Sequence, residues 1–402
     1  MLRTSARYWR WANGLSAGTG LLLGLAGCIE SYMPDVVAAP ASYLVVDGFI
    51  NGNGRTRILL SRSLSVGSAE AAPVVRGATL FIADTTGQRY SLRETAVAGT
   101  YISDSLQLPT GRRYQLQLTL GTGASAPAYA SQLVPLKVTP DFDQLELVHQ
   151  DGQVRVLAST HDPSGSARFY RWRASETWEF NAPRRSELEV IGGLVRPRVT
   201  PIYTCYRSEQ PSGIVQASTA SLRQDFLSQQ RILAFSDRAE RVKVRYSVLV
   251  TQIAETAEEF AYYELLRKNT EAVGTVNDPL PTQLTGNVHR VGDATEPVLG
   301  FVGAHTVVQR RLFATPASLG LPKDWAFDDP YSSCAFGPEL VPDPNDKISL
   351  RIYRPNTRVF KSGDNVPTQY YIVSGDTLGY EGGPRACVDC RTRGTTVKPS
   401  FW

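Results

Sequence analysis

Tyr114, Leu116, Leu118 and Leu120 alternate with Gln115, Gln117 and Thr119, the period-two pattern of a half-buried strand. Shorter runs of the same kind cover Leu44–Ile50, Arg57–Ser61, Ala78–Ala83, Arg89–Arg93 and Tyr101–Leu106. Turn-forming clusters separate them: Asn51-Gly52-Asn53-Gly54, Asp84-Thr85-Thr86-Gly87 and Pro109-Thr110-Gly111. This spacing predicts a small immunoglobulin-like β-sandwich over residues 43–139.

A larger β-rich domain is predicted over residues 140–402. Leu145 and Leu147 face Val154 and Val156 across Asp151-Gly152, a hairpin signal. Val242, Val244, Tyr246, Val248 and Val250 predict one long strand. Between Thr256 and Asn269 the pattern becomes helical. Thr256 and Glu259 have the spacing of a capping box, Glu258 and Glu259 suit the positive start, and Arg267 and Lys268 suit the negative end. Glu264 and Lys268 add an i,i+4 pair. Tyr262, Tyr263, Leu265 and Leu266 make a wide apolar band, so this helix is expected to pack on a sheet. Leu321–Pro344 reads as a long loop, and strands near Lys347–Tyr353 and Gln369–Val373 complete the domain.

The first residues follow another plan. Arg3, Arg7 and Arg10 precede a short apolar segment and the tetrapeptide Leu25-Ala26-Gly27-Cys28. Residues 1–27 read as a secretory signal, and ending it on a cysteine resembles a bacterial lipobox. Cys28 is then the lipid attachment site, with residues 28–42 as a tether. The run from Leu15 to Ala26 falls short of the roughly 20 apolar residues a spanning helix needs. Acyl chains contribute about 0.8 kcal/mol per buried methylene, so a lipid anchor alone gives the membrane as a partner.

The 402 residues carry a formal charge of +4, of which the leader arginines supply most, leaving no electrostatic case for nucleic acid. With 42% hydrophobic and 20% charged residues the chain can bury an ordinary core, which excludes a disordered polymer. Of the 5 cysteines, Cys205, Cys334, Cys387 and Cys390 remain after Cys28, an even number that reads as two structural disulfides in an exported protein. Several connectivities are open; the preferred one ties Cys387 and Cys390 of the tail to Cys205 and Cys334. The Cys387/Cys390 spacing does not open a helix after a buried strand, as a redox motif would. His149, His161, His289 and His305 are scattered, and the acids near Asp328 and Asp343 lack the ordered ligands of a calcium loop. No metal or cofactor is expected.

Phe169-Tyr170-Arg171-Trp172-Arg173, followed by Trp178, admits two readings. Tyr170, Trp172 and Trp178 could stack on a sugar or grip a peptide. Alternatively Tyr170 and Trp172 point to one core face while the arginines snorkel from the other. No Gly-x-Ser-x-Gly elbow, His-Glu-x-x-His or phosphate-cradling glycine loop is found, and His161-Asp162 falls in a turn, so the chain reads as a non-enzyme.

Several motifs together carry a resemblance. They are the lipobox, Leu44-Val45-Val46-Asp47-Gly48, Val75-Arg76-Gly77-Ala78 and Tyr170-Arg171-Trp172 with Glu176-Thr177-Trp178-Glu179. Leu266-Arg267-Lys268-Asn269-Thr270-Glu271, Val298-Leu299-Gly300-Phe301 and the tail from Cys387-Val388-Asp389-Cys390 to Trp402 complete the set. The chain resembles the Bacteroidota lipoprotein family called domain of unknown function 4249. That resemblance implies an outer-membrane lipoprotein working with a TonB-dependent transporter in nutrient uptake, and it supplies no catalytic residues. The N-terminal strands also resemble the regulatory β-sandwich of carboxypeptidases, a fold-level analogy that suggests docking. A cell-surface adhesin or structural envelope protein is the alternative, and an envelope hydrolase a third.

Overall fold

The computed structural model describes residues 42–64, 70–123, 125–271, 286–338, 340–342, 353–355 and 357–402. The expected leader, Cys28 and the tether up to residue 41 lie outside them, as do residues 347–352 of the strand expected near Lys347–Tyr353.

The N-terminal body is built from β1 (Leu44–Asn51), β2 (Arg55–Arg62), β3 (Ala78–Asp84), β4 (Arg89–Glu94), β5 (Thr100–Ser105), β6 (Arg113–Leu120), β7 (Ala128–Ser131) and β8 (Val134–Pro135). Each run read from alternation forms a strand. Its inward positions, among them Leu44, Val46, Ile58, Leu60, Ile82 and Leu116, share one core. Removal of that apolar surface from water supplies the main drive, at about 25 cal/mol per Å².

The second body starts with β9 (Phe142–Gln150) and β10 (Gln153–His161). Asp151 and Gly152 both take positive φ, 52° and 71°, as a type I′ hairpin turn demands. Next come β11 (Phe169–Asn181), a small hairpin of β12 (Leu188–Ile191) and β13 (Leu194–Pro197), then β14 (Thr204–Glu209) and β15 (Val215–Ser218). β16 (Phe226–Ser236), β17 (Arg245–Ala254) and the helix α1 (Ala257–Glu271) follow. The sheet β16-β10-β9 shares its core with the sheet centred on β11 and β17: Val154 and Val156 meet Tyr170, Trp172, Val248 and Val250. The long strand expected from Val242 starts later. Glu240–Val242 form a 3₁₀ turn, with Val242 buried and Glu240 gripped by Arg393 at 2.6 and 2.8 Å.

The chain then returns to the first body. β18 (Val288–Arg290), β19 (Val298–Leu299) and β20 (Ala304–His305) all join the N-terminal sheet, giving it 11 strands. β18 pairs with β7, whereas β19 and β20 run parallel to β1. The two ends of the strand order are therefore bridged by one short stretch of chain, and the sheet curls into a nearly closed barrel. The N-terminal unit thus extends beyond residues 43–139 by a strip borrowed from the larger domain. β21 (Val308–Ala314) goes back to the second body and pairs with β17.

Beyond it lie β22 (Gly337–Pro338), β23 (Leu340–Pro342), β24 (Tyr353–Pro355), β25 (Asn365–Val373) and β26 (Asp376–Pro384). Two disulfides fasten the tail, Cys205–Cys390 and Cys334–Cys387, with Cα atoms 5.7 and 5.8 Å apart. This is the preferred pairing, tail to Cys205 and Cys334. Trp402 then lies across the outer side of the β11 sheet, its indole N–H donating to Glu179 at 3.2 Å and its ring meeting Tyr206 and Phe313 edge-on.

Candidate functional site

Alternate residues of a strand face opposite ways, and β11 uses both faces. Tyr170 and Trp172 point into the core, where the Tyr170 hydroxyl donates to Asp225 and the Trp172 indole donates to Gln252 at 2.8 Å. Trp178 lies on the same face, also buried, between Arg207 and Arg241. Burial corrects the ligand-stacking reading of these three rings: they are core residues whose faces are already covered.

Arg171 and Arg173 point the other way. Arg171 does not snorkel to water; it is buried beneath α1. Its Nε donates to Glu255, another guanidinium nitrogen donates to Glu259 at 3.0 Å, and Tyr263 stacks over it at 3.6 Å. Glu259 also accepts from His305 Nε2 at 2.9 Å. His305 belongs to β20, paired with β1, so this buried cluster joins the two bodies through α1. A Cβ on Gly303 would collide with the Glu259 carboxylate, so only glycine admits it there. Burial raises both carboxyls. At Glu259 the opposing pull of His305 and Arg171 overcomes it and the group is lowered, whereas at Glu255 burial wins over Arg171 and the group is raised.

A cleft of about 860 Å³ opens above this cluster. Asp47 of β1 and Arg57 of β2 form one wall. Arg173 and Ser175 of β11, with Thr251 and Gln309 from β17 and β21, form another; Leu266 and Thr270 of α1 flank it. Arg57 and Arg173 are exposed and make no ion pair among the described residues. The lining offers guanidinium, amide, hydroxyl and carboxylate groups, a hydrogen-bonding set suited to a polar ligand.

His161 lines a separate recess of about 500 Å³. Its Nδ1 lies 2.7 Å from Asp143, while Ser164 donates to Asp162 at 2.7 Å. His161 and Asp162 thus serve different partners, and the Ser164 hydroxyl is committed to the turn. Among the described residues no group of three or more His, Cys, Asp or Glu is placed to hold a metal ion. Sequence reasoning missed Arg171, Glu255, Glu259 and His305 as a unit. Their only signals were a capping-box glutamate and an arginine between two inward aromatics.

Fold and site together define a two-body, disulfide-stapled β protein with a polar cleft between its bodies. The chain belongs to the family described as domain of unknown function (DUF4249), whose profile matches residues 29–311. No curated protein matches it. Among solved structures it is similar to a DUF4785 family protein from Legionella pneumophila (11% identity, TM-score 0.18, covering 52% of this chain and 51% of that one). A two-domain fibronectin type-III segment of chicken tenascin also matches (10% identity, TM-score 0.16, covering 53% and 91%). The chain spans about half the length of the Legionella protein, and at these scores neither likeness bears on function. No described helix is long and apolar enough to cross a membrane, which leaves crossing by strands unaddressed.

Proposed function

We propose that this protein is an outer-membrane lipoprotein, tethered through Cys28, that acts as a non-enzymatic binding component beside a TonB-dependent transporter in nutrient uptake. The observation that carries the binding role is the cleft between the two bodies, whose free Arg57 and Arg173 guanidinium groups and neutral donors suit a sugar or a peptide segment. The Leu25-Ala26-Gly27-Cys28 tetrapeptide supports the anchor.

Pull-down of the tagged full chain from detergent extracts is expected to recover a TonB-dependent receptor together with its cargo. The double variant Arg57→Ala/Arg173→Ala should keep the receptor and lose the cargo. Repeated recovery of no receptor would sink the accessory role, and cargo retained by the double variant would sink the cleft as its site. Mass spectrometry of the native protein should show residue 28 acylated; an unmodified residue there would refute the tether.

A further inference from the structure

A second cavity, independent of the cleft, sits where the tail is stapled. It measures about 570 Å³ and brings together Arg198, Lys361, Arg385 and Arg391 against two acids, Glu189 and Asp389. Both acids are spoken for. Asp389 is buried and accepts from Arg391 twice at 2.8 Å, with Arg385 at 3.9 Å. Glu189 faces Arg196 at 3.4 Å and Arg198 at 3.9 Å. Lys361 is exposed and makes no ion pair among the described residues. The cavity therefore holds more cations than its own carboxylates neutralise.

Arg198, Arg385 and Arg391 are held in place by hydrogen bonds. Arg198 donates to Ser186 at 2.9 Å and to the Leu188 carbonyl at 2.8 Å, which leaves its remaining amino nitrogen facing Glu189. Arg385 donates to the Gly363 carbonyl at 2.6 Å, and Asp389 lies between the bonded Cys387 and Cys390. Burial first, then the charges of Arg391 and Arg385, push the Arg198 guanidinium down against the opposite pull of Glu189 and Asp389. An anion in the cavity would relieve that crowding.

We propose that this cavity binds a phosphate group, using Arg198, Lys361, Arg385 and Arg391. A tetrahedral dianion presents acceptors in several directions, which matches cations arriving from the β13 end, the turn before β25 and the tail; a planar carboxylate would satisfy fewer of them. Two sources carry this chemistry, a soluble phosphate compound and a lipid head group. The hairpin tip that forms one rim exposes Ile191 and Leu194, with Val199 just beyond, as a lipid-facing rim would.

The test uses the full chain carrying Cys28→Ser, so that no acyl anchor takes it to a bilayer: titration with inorganic phosphate at constant ionic strength, together with flotation on phosphatidylglycerol and on phosphatidylcholine vesicles. Saturable phosphate binding is expected, weakened roughly tenfold or more in Lys361→Gln/Arg385→Gln and tightened in Glu189→Gln. Flotation only on phosphatidylglycerol, reversed by phosphate, would assign the lipid source. Phosphate binding without flotation would assign the soluble one. Absence of both, or phosphate binding indifferent to all these substitutions, overturns the proposal.

Discussion

Arg171 holds two carboxylates and a tyrosine ring out of water, beneath α1. Removing one member of such a buried group strands the others. Arg171→Met is therefore expected to destabilise the protein by about 3–5 kcal/mol, read as a lower urea midpoint. Replacing Arg171, Glu255 and Glu259 together by apolar residues should recover part of that loss, since His305 and Gln216 then lose a partner but no buried carboxylate or guanidinium is left unpaired. Two other carboxylates, Asp84 and Asp162, contribute to the response to acid. Asp84 is held down from the ordinary 3.8 to about 2, chiefly by the Thr86 hydroxyl and, against burial, by Arg112. Asp162 also falls to about 2, because the Ala167 and Ser164 amides and nearby hydroxyls outweigh burial. Both are depressed, so their contribution is complete above about pH 4 and is lost as the pH falls towards 2. Asp84→Asn and Asp162→Asn should lower stability at neutral pH and flatten its decline over that window; an unchanged slope in acid urea titrations would contradict this.

At the scale of elements, α1 shows a capping signal serving two ends. The Thr256 hydroxyl accepts from the Glu259 amide at 3.2 Å, so Thr256→Ala should cost about 1 kcal/mol in thermal or urea unfolding. The glutamate half of the expected box does not reach back to the cap; its carboxylate serves Arg171 and His305 instead. The spacing of Thr256 and Glu259 is the same either way, so the sequence alone carried the helix and its start but not the second task. Long strands such as β6 and the β9–β10 hairpin were legible because alternation persists over enough residues to show its period. β18, β19 and β20 were not, since two or three residues cannot express a period, and their pairing depends on partners far away in the chain. The candidate site stayed hidden for a related reason. Asp47, Arg57, Arg173 and Gln309 look like ordinary solvent-facing positions on separate strands until the bodies meet.

For the whole molecule, the two disulfides close loops of very different size. Cys205–Cys390 spans 185 residues and Cys334–Cys387 spans 53. In the chain-entropy account the longer cross-link contributes up to about 5 kcal/mol. Reduction should lower the unfolding midpoint and slow migration on denaturing gels, with Cys205→Ser/Cys390→Ser losing more stability than Cys334→Ser/Cys387→Ser; the reverse order would mean that local packing outweighs loop length. A final consequence concerns the order in which the chain is made. A chain that emerges from its N-terminus delivers β1 through β7 long before residues 288–305, so the barrel's two seams stand open until most of the second body has followed. Unsatisfied strand edges recruit neighbours. Before the closing strip arrives the open edges are expected to favour self-association, and a fragment cut at residue 139 should clump where the intact chain does not.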